Sequence, residues 1–180
     1  MSLVVFMRAV NVGGHKVFRP SAFVDEIAHM NAINVGAAGT IVIRRSLTEK
    51  AARDEFNKRL QFEAKLIICN GRDILALIKS DPFSETESTT EIRFYVSVLD
   101  RRPTELPRFP LFLPAGDQWQ FNVAGISGRF VLIVSRRIGK PGLDINAFVE
   151  KQFGVSATTR NWNTLVKIGK ILDTRAATPT

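Results

Sequence analysis

A cluster of polar and flexible residues follows the first apolar segment of the chain and could bind an anion. Its members are Arg8, Asn11, Gly13, Gly14, His15 and Lys16. The two glycines would let backbone N–H groups approach a phosphate or carboxylate closely, and the basic side chains would add positive charge. The spacing matches neither a Walker phosphate loop nor the Gly-x-Gly-x-x-Gly pattern. The structural alternative is a turn whose glycines supply the dihedral angles, with Arg8 and Asn11 fixing the loop by hydrogen bonds.

A second polar cluster lies near the C-terminus, where a predicted strand passes into a predicted helix. It consists of Arg160, Asn161, Trp162 and Asn163. Asn161 is a typical helix N-cap, which places free N–H groups and the positive end of the helix dipole behind it. Arg160 would add charge, and Trp162 would offer a ring for stacking, a combination that suits a phosphorylated or aromatic ligand. The alternative is a structural cap whose tryptophan fills the core.

Catalytic signals are weak. His15 is the histidine best placed to act as a general acid or base, but no neighbouring residue orients or activates it. The Gly-x-Ser-x-Gly signature of serine hydrolases is absent. With one cysteine and two histidines, the chain has few ligands for a zinc cage, so neither a metal nor a cofactor is expected. An enzyme acting on a phosphorylated metabolite stays open but ranks below simple binding.

The charge distribution favours anionic partners. Lysine and arginine total 25 against 17 acidic residues, a formal net charge of +8. Residues 1–90 hold 12 basic and 10 acidic groups, a net of +2, and residues 91–180 hold 13 and 7, a net of +6. Arginine, which can grip phosphate through two parallel hydrogen bonds, outnumbers lysine 16 to 9. A basic surface that only keeps the protein soluble is the alternative.

The second half also contains residue types found in RNA-binding surfaces. The basic ones are Arg101, Arg102, Arg108, Arg136, Arg137 and Lys140, and the aromatic ones are Phe109, Phe112, Trp119 and Phe121. No aromatic signature of the RNA-recognition type is present, and Trp119 and Phe121, two residues apart, could both face the core. RNA binding is therefore an alternative that the sequence does not favour.

The apolar pattern predicts that these clusters lie between strands and helices. The first half predicts the order βαββαβα, with a buried strand at residues 3–7 and a helix that begins with a Ser46/Glu49 capping box. The second half predicts a similar series, including a strand at residues 92–99 and a hairpin around residues 125–128. An offset of 91 residues aligns the halves in part, for example Asn70 with Asn161. We therefore predict an α+β fold made by tandem duplication, with units at residues 1–88 and 89–180 and antiparallel-rich sheets carrying helices on one face.

Segments at opposite ends of the chain resemble the signatures of a known family. Residues 7–14, Met-Arg-Ala-Val-Asn-Val-Gly-Gly, resemble the opening Leu-Arg-Gly-Ile-Asn-Val-Gly-Gly of the bacterial family catalogued as domain of unknown function 1697. Residues 159–164, Thr-Arg-Asn-Trp-Asn-Thr, are the same as its C-terminal signature, and Asp81-Pro82-Phe83 is similar to its Asn-Pro-Phe. The resemblance implies two ferredoxin-like βαββαβ units but brings no established activity, cofactor or catalytic residue.

One segment departs from that family. Residues 37–43 read Ala-Ala-Gly-Thr-Ile-Val-Ile, where the family usually shows Gln-Ser-Gly-Asn-Val-Val-Phe. Two or three polar side chains are lost, which indicates that this member has lost part of any ancestral site.

The sequence thus leads to one favoured hypothesis. We expect a cytoplasmic protein, monomeric or homodimeric, that binds a small anionic or phosphorylated ligand in a cleft between its two units. The longest apolar runs, such as those at residues 3–7 and 130–134, are five residues each. A membrane-spanning helix needs roughly 20, so no membrane segment is expected, and the N-terminus does not resemble a signal peptide.

Overall fold

The computed structural model describes residues 1–8, 18–87, 89–136 and 143–174, and the chain divides into two units. The first unit comprises Met1–Lys79 together with the chain from Thr164 onward, and the second comprises Ser80–Asn163. In this division the chain passes from one unit to the other after Lys79 and again after Asn163, and the predicted boundary between residues 88 and 89 stays a prediction.

The sheet of the first unit is built around the apolar run at the start of the chain. Its strands are β1 (Leu3–Arg8), β2 (Ala32–Asn34), β3 (Thr40–Ile43) and β4 (Lys65–Asn70). They lie in the order β2-β3-β1-β4, and all neighbours are antiparallel. Each residue from 3 to 7 is at most 1% exposed. Burial on both faces explains why β1 is continuously apolar instead of alternating.

Helices α1 (Pro20–Glu26) and α2 (Glu49–Arg59) pack on one face of this sheet. Their apolar residues, such as Phe23 and Phe56, form a core with Leu3, Val5 and Met7 of β1. The polypeptide between them includes a 3-10 helix (Ala28–Met30), and helix α3 (Gly71–Lys79) follows β4 directly.

The predicted cap of α2 is wrong by two residues. The N-cap is Thr48, whose Oγ1 accepts a hydrogen bond from the N–H of Ala51 at 3.1 Å. Ser46 instead accepts a hydrogen bond from the N-terminal ammonium group of Met1. Glu49 is therefore the first helical residue and not the third.

The second unit is a larger antiparallel sheet. Its strands are β5 (Ile92–Leu99), β6 (Leu111–Leu113), β7 (Phe121–Ser127), β8 (Phe130–Arg136) and β9 (Ala157–Asn161), in the order β6-β7-β8-β5-β9. Helix α4 (Ile145–Phe153) starts at the cap Asp144, which accepts from the N–H of Ala147 at 3.0 Å. Helix α5 (Trp162–Asp173) follows β9 without a linker.

The hairpin between β7 and β8 turns later than the sequence predicts. Gly125 lies within β7, where the register shifts at a β-bulge after Val123. The turn itself contains Gly128, whose φ of +61° lies in the left-handed region that favours glycine. The register skips Ala124 at the bulge, and Gly128 is the glycine that the turn requires.

The last helix packs against α3 through a close approach at Gly169. A Cβ atom on Gly169 would lie 2.7 Å from Cδ1 of Ile78. Arg44 adds hydrogen bonds from Nη2 to the backbone oxygens of Ile171, at 2.7 Å, and Thr174, at 2.8 Å. These contacts explain why the chain from Thr164 onward belongs to the first unit.

The α+β prediction is confirmed by two antiparallel sheets and, in the described residues, five α-helices. The two units differ in one connection. A helix links β1 to β2 in the first unit, whereas a proline-containing loop and the short strand β6 link β5 to β7 in the second.

Candidate functional site

The glycine-containing cluster falls mostly outside the described residues. Asn11, Gly13, Gly14, His15 and Lys16 all lie there. Arg8, the remaining member, ends β1 and is opposite Lys65 of β4 in the sheet register. An anion site at this loop stays a prediction.

The C-terminal cluster lies at the junction between the edge strand β9 and helix α5. Asn161 is the last residue of β9 and lies opposite Tyr95 of β5. Its Oδ1 accepts a hydrogen bond from the N–H of Asn163 at 2.9 Å. Asn161 therefore satisfies one of the free N–H groups at the start of α5, as the sequence predicts for a cap.

The ring of Trp162 is fixed by aromatic contacts. It meets Phe83 edge-on, with 5.3 Å between ring centroids. Phe83 is 6% exposed and stacks on Phe94 of β5 at 4.7 Å. Trp162 itself is half-buried. The Trp162 ring thus has a structural contact with Phe83, while part of the residue stays accessible.

A small cavity opens beside this ring. Its volume is about 190 Å³, and it is lined by Ile92, Arg93, Phe94, Asn161, Trp162 and Asn163. Three of the four residues of the predicted cluster therefore line one concave surface. The cavity is smaller than the roughly 300–1,000 Å³ of common ligand pockets, which limits it to a small chemical group.

Arg93 also lines this cavity, although no pattern in the sequence indicates it. It is exposed, and its Nη1 donates to the backbone oxygen of Ile92 at 2.8 Å and of Thr89 at 3.4 Å. Within the described part of the chain, its Nε and Nη2 atoms make no hydrogen bond. These donors can therefore bind an anion at the cavity. The antiparallel pairing of β5 with β9 brings Arg93 here, and no motif in the sequence indicates that pairing.

Arg160 has a different environment from the one expected of a ligand-binding arginine. It is 8% exposed, and its Nη1 donates to Oγ1 of Thr158 at 2.7 Å and to the backbone oxygen of Thr159 at 2.9 Å. Burial lowers the pKa of Arg160 to about 10, so the guanidinium remains protonated at neutral pH. It does not line the cavity. Both hydrogen bonds lie within β9, and a direct contact between Arg160 and a ligand stays a prediction.

The aromatic residues of the RNA alternative separate into two groups. Phe109 stacks on Phe153 at 6.2 Å, and both Phe109 and Phe121 pack against the core of the second unit. Phe112 and Trp119 contact each other at 5.7 Å. The guanidinium of Arg136 lies 3.8 Å from the centre of the Trp119 ring. Two of the four rings are thus used in packing, and Arg137 and Lys140 lie outside the described residues.

Three other features of the described ranges concern a thiol, a metal site and a membrane-spanning helix. Cys69 is buried in β4. No group of three or more His, Cys, Asp or Glu side chains in these ranges could hold a metal ion. In the same part of the chain, no helix has the length and apolar character needed to cross a membrane.

Comparisons with known proteins agree with the fold and leave the activity open. The family model described as "Protein of unknown function (DUF1697)" matches residues 1–123. The solved structure of the conserved bacterial protein SP0830 from Streptococcus pneumoniae is similar over 96% of this chain and 98% of its own, with a TM-score of 0.57 and 15% identity. At this identity the similarity concerns the fold alone. No curated protein matches the sequence.

Proposed function

The chain belongs to the DUF1697 family of bacterial proteins of unknown function, and from its own geometry we propose that it binds a small anion, such as a phosphate group on a metabolite. The binding site is the cavity at the start of α5. One observation carries this proposal: Arg93, Asn161, Trp162 and Asn163 line the same concave surface.

The chemistry of the cavity suits a phosphate or a carboxylate. The first turn of a helix has N–H groups without intrahelical partners and a partial positive charge. Oδ1 of Asn161 accepts a hydrogen bond from the N–H of Asn163, and the guanidinium of Arg93, which lines the same cavity, adds a full positive charge. The accessible part of the Trp162 ring can contact an apolar group attached to the anion. Binding is the proposed role because the cavity has no nucleophile paired with a base.

Titration calorimetry with inorganic phosphate and with phenyl phosphate tests this function. We expect Arg93→Gln to weaken binding about tenfold or more, since hydrogen bonds to charged groups contribute about 1.5–3 kcal/mol. Arg108→Gln is the matched control, because Arg108 is exposed, lies in the same unit and does not line the cavity. Equal losses in both variants would indicate attraction by net charge alone and would refute the site.

Arg8, the last residue of β1, tests whether the glycine-containing loop contributes to anion binding. If Arg8 and the loop residues contribute a second set of anion contacts, Arg8→Ala should also weaken phosphate binding. An unchanged affinity would restrict the site to the residues of the second unit.

We also infer that the two units arose by tandem duplication of a ferredoxin-like βαββαβ unit. The strand orders β2-β3-β1-β4 and, without the edge strand β6, β7-β8-β5-β9 support this origin. In both orders the first strand of the unit lies between its third and its last. The helix expected between β5 and β7 would then have been replaced by the proline-containing loop and β6.

A further inference from the structure

A larger cleft lies in the first unit and shares no lining residue with the cavity of the proposed anion site. Its volume is about 400 Å³, and its lining comes from α1 with the two residues before it and from the end of α2 with the three residues after it. This volume falls within the range of pockets that hold small organic molecules. The residues that matter for its chemistry are Phe18, Phe23, Phe62, Arg19, Glu26 and Arg59.

Aromatic rings form the apolar part of the cleft. The ring centroid of Phe18 lies 5.5 Å from that of Phe23 and 5.7 Å from that of Phe62. Phe18 and Phe23 are 7% and 4% exposed, and Phe62 is half-buried. Because these rings hold one another in place, the cleft has a preformed apolar surface against which a ligand side chain can pack.

The charged side chains of the cleft include both signs. Arg59 bonds to the carboxylate of Glu55, which also contacts Nε2 of His29 at 3.2 Å. Arg59 is therefore held in position and largely neutralised. Arg19 and Glu26 are exposed, and within the described ranges neither makes an ion pair or a side-chain hydrogen bond. The cleft thus has one cation and one carboxylate available beside an apolar surface.

From this combination we propose that the cleft binds a small zwitterion with an apolar side chain, the chemistry of a free amino acid such as phenylalanine. The ligand carboxylate pairs with Arg19 and with the remaining donors of Arg59, and the ligand ammonium pairs with Glu26. The apolar side chain packs against Phe18 and Phe62. A simple anion would be repelled by Glu26, and a simple cation by Arg19.

A set of related probes tests each part of this assignment on the full chain. Titration calorimetry compares L-phenylalanine with phenylacetate, which lacks the ammonium, with phenethylamine, which lacks the carboxylate, and with glycine, which lacks the apolar group. We expect phenylalanine to bind about tenfold or more tightly than each of the other three. The absence of saturable binding of phenylalanine, or equal affinity for any of the three probes, would overturn the proposal.

Variants then locate the site. Arg19→Gln and Glu26→Gln should each weaken phenylalanine binding about tenfold, and Ala22→Phe, on the exposed side of α1, should fill the cleft and abolish it. Lys79→Gln and Glu49→Gln are matched controls on exposed helix positions outside the cleft. Thermal melting of every variant verifies folding. If binding survives Ala22→Phe in a folded protein, or if the controls weaken it equally, the cleft is not the site.

Discussion

The N-cap of α2 offers a quantitative test of the structure, because two neighbouring residues compete for the role. Thr48 accepts a hydrogen bond from the N–H of Ala51, whereas the hydroxyl of Ser46 accepts one from the exposed N-terminal ammonium group. Replacing Thr48 by alanine removes the acceptor and leaves that N–H of the first turn without its partner. Replacing Ser46 by alanine removes an exposed contact that contributes little to stability.

The expected magnitude follows from the single hydrogen bond of 3.1 Å at this cap. Loss of a threonine cap costs about 0.5–2 kcal/mol, typically about 1 kcal/mol. For a chain of this length, about 1 kcal/mol corresponds to a decrease in Tm of about 2–4 °C. Ser46→Ala should change the free energy of unfolding by less than about 0.5 kcal/mol, as surface substitutions usually do.

Urea unfolding followed by circular dichroism measures both free energies under the same conditions. Thr48→Ser is the control, since serine keeps the hydroxyl acceptor and should restore most of the stability. If Ser46→Ala destabilises the protein as much as Thr48→Ala does, the helix begins two residues earlier than the structure shows. That result would refute the assignment of Thr48 as the N-cap of α2.

Two further predictions concern the cores of the two units. Phe56 is fully buried and meets Phe23 edge-on with 5.1 Å between centroids. Phe56→Ala should therefore lower the free energy of unfolding by about 3–5 kcal/mol in urea melts. A loss below about 1 kcal/mol would contradict the packing of α2. Thr158→Val keeps the shape of the side chain but removes the acceptor that Arg160 uses at 2.7 Å. Because that guanidinium is buried and charged, we expect a loss of about 1.5–3 kcal/mol, and an unchanged thermal midpoint would show that the bond does not stabilise the fold.

The sequence predicts the strands and helices better than their ends. The apolar run of β1 and the spacing of Ala52 and Phe56 in α2 are direct consequences of burial, so they can be recognised without a structure. The start of α2 is harder to predict, because Ser46 and Thr48 are both good capping residues and an acidic residue at position 49 suits either choice. The hairpin turn is equally hard to place, because Gly125 and Gly128 are both typical turn residues and only Gly128 lies in the turn.

In the candidate site, residues that a local motif indicates can be predicted from the sequence, whereas residues that depend on the folded sheet cannot. Asn161 and Trp162 are identified from the strand-to-helix junction, which is a local feature of the sequence. Arg93 lies about seventy residues earlier and reaches the cavity through the pairing of β5 with β9. Arg160 looks like a ligand-binding arginine in the sequence, yet its position in β9 buries it. Long-range pairing and burial are properties of the folded sheet, and local motifs do not contain them.

The most direct measurement of the proposed function is a two-dimensional ¹⁵N–¹H NMR titration of the whole protein with inorganic phosphate. We expect the largest saturable shifts at the indole N–H of Trp162, the backbone N–H of Asn163 and the signals of Arg93. Shifts that are confined to other residues, or that spread over the basic surface without saturation, would contradict the proposed function.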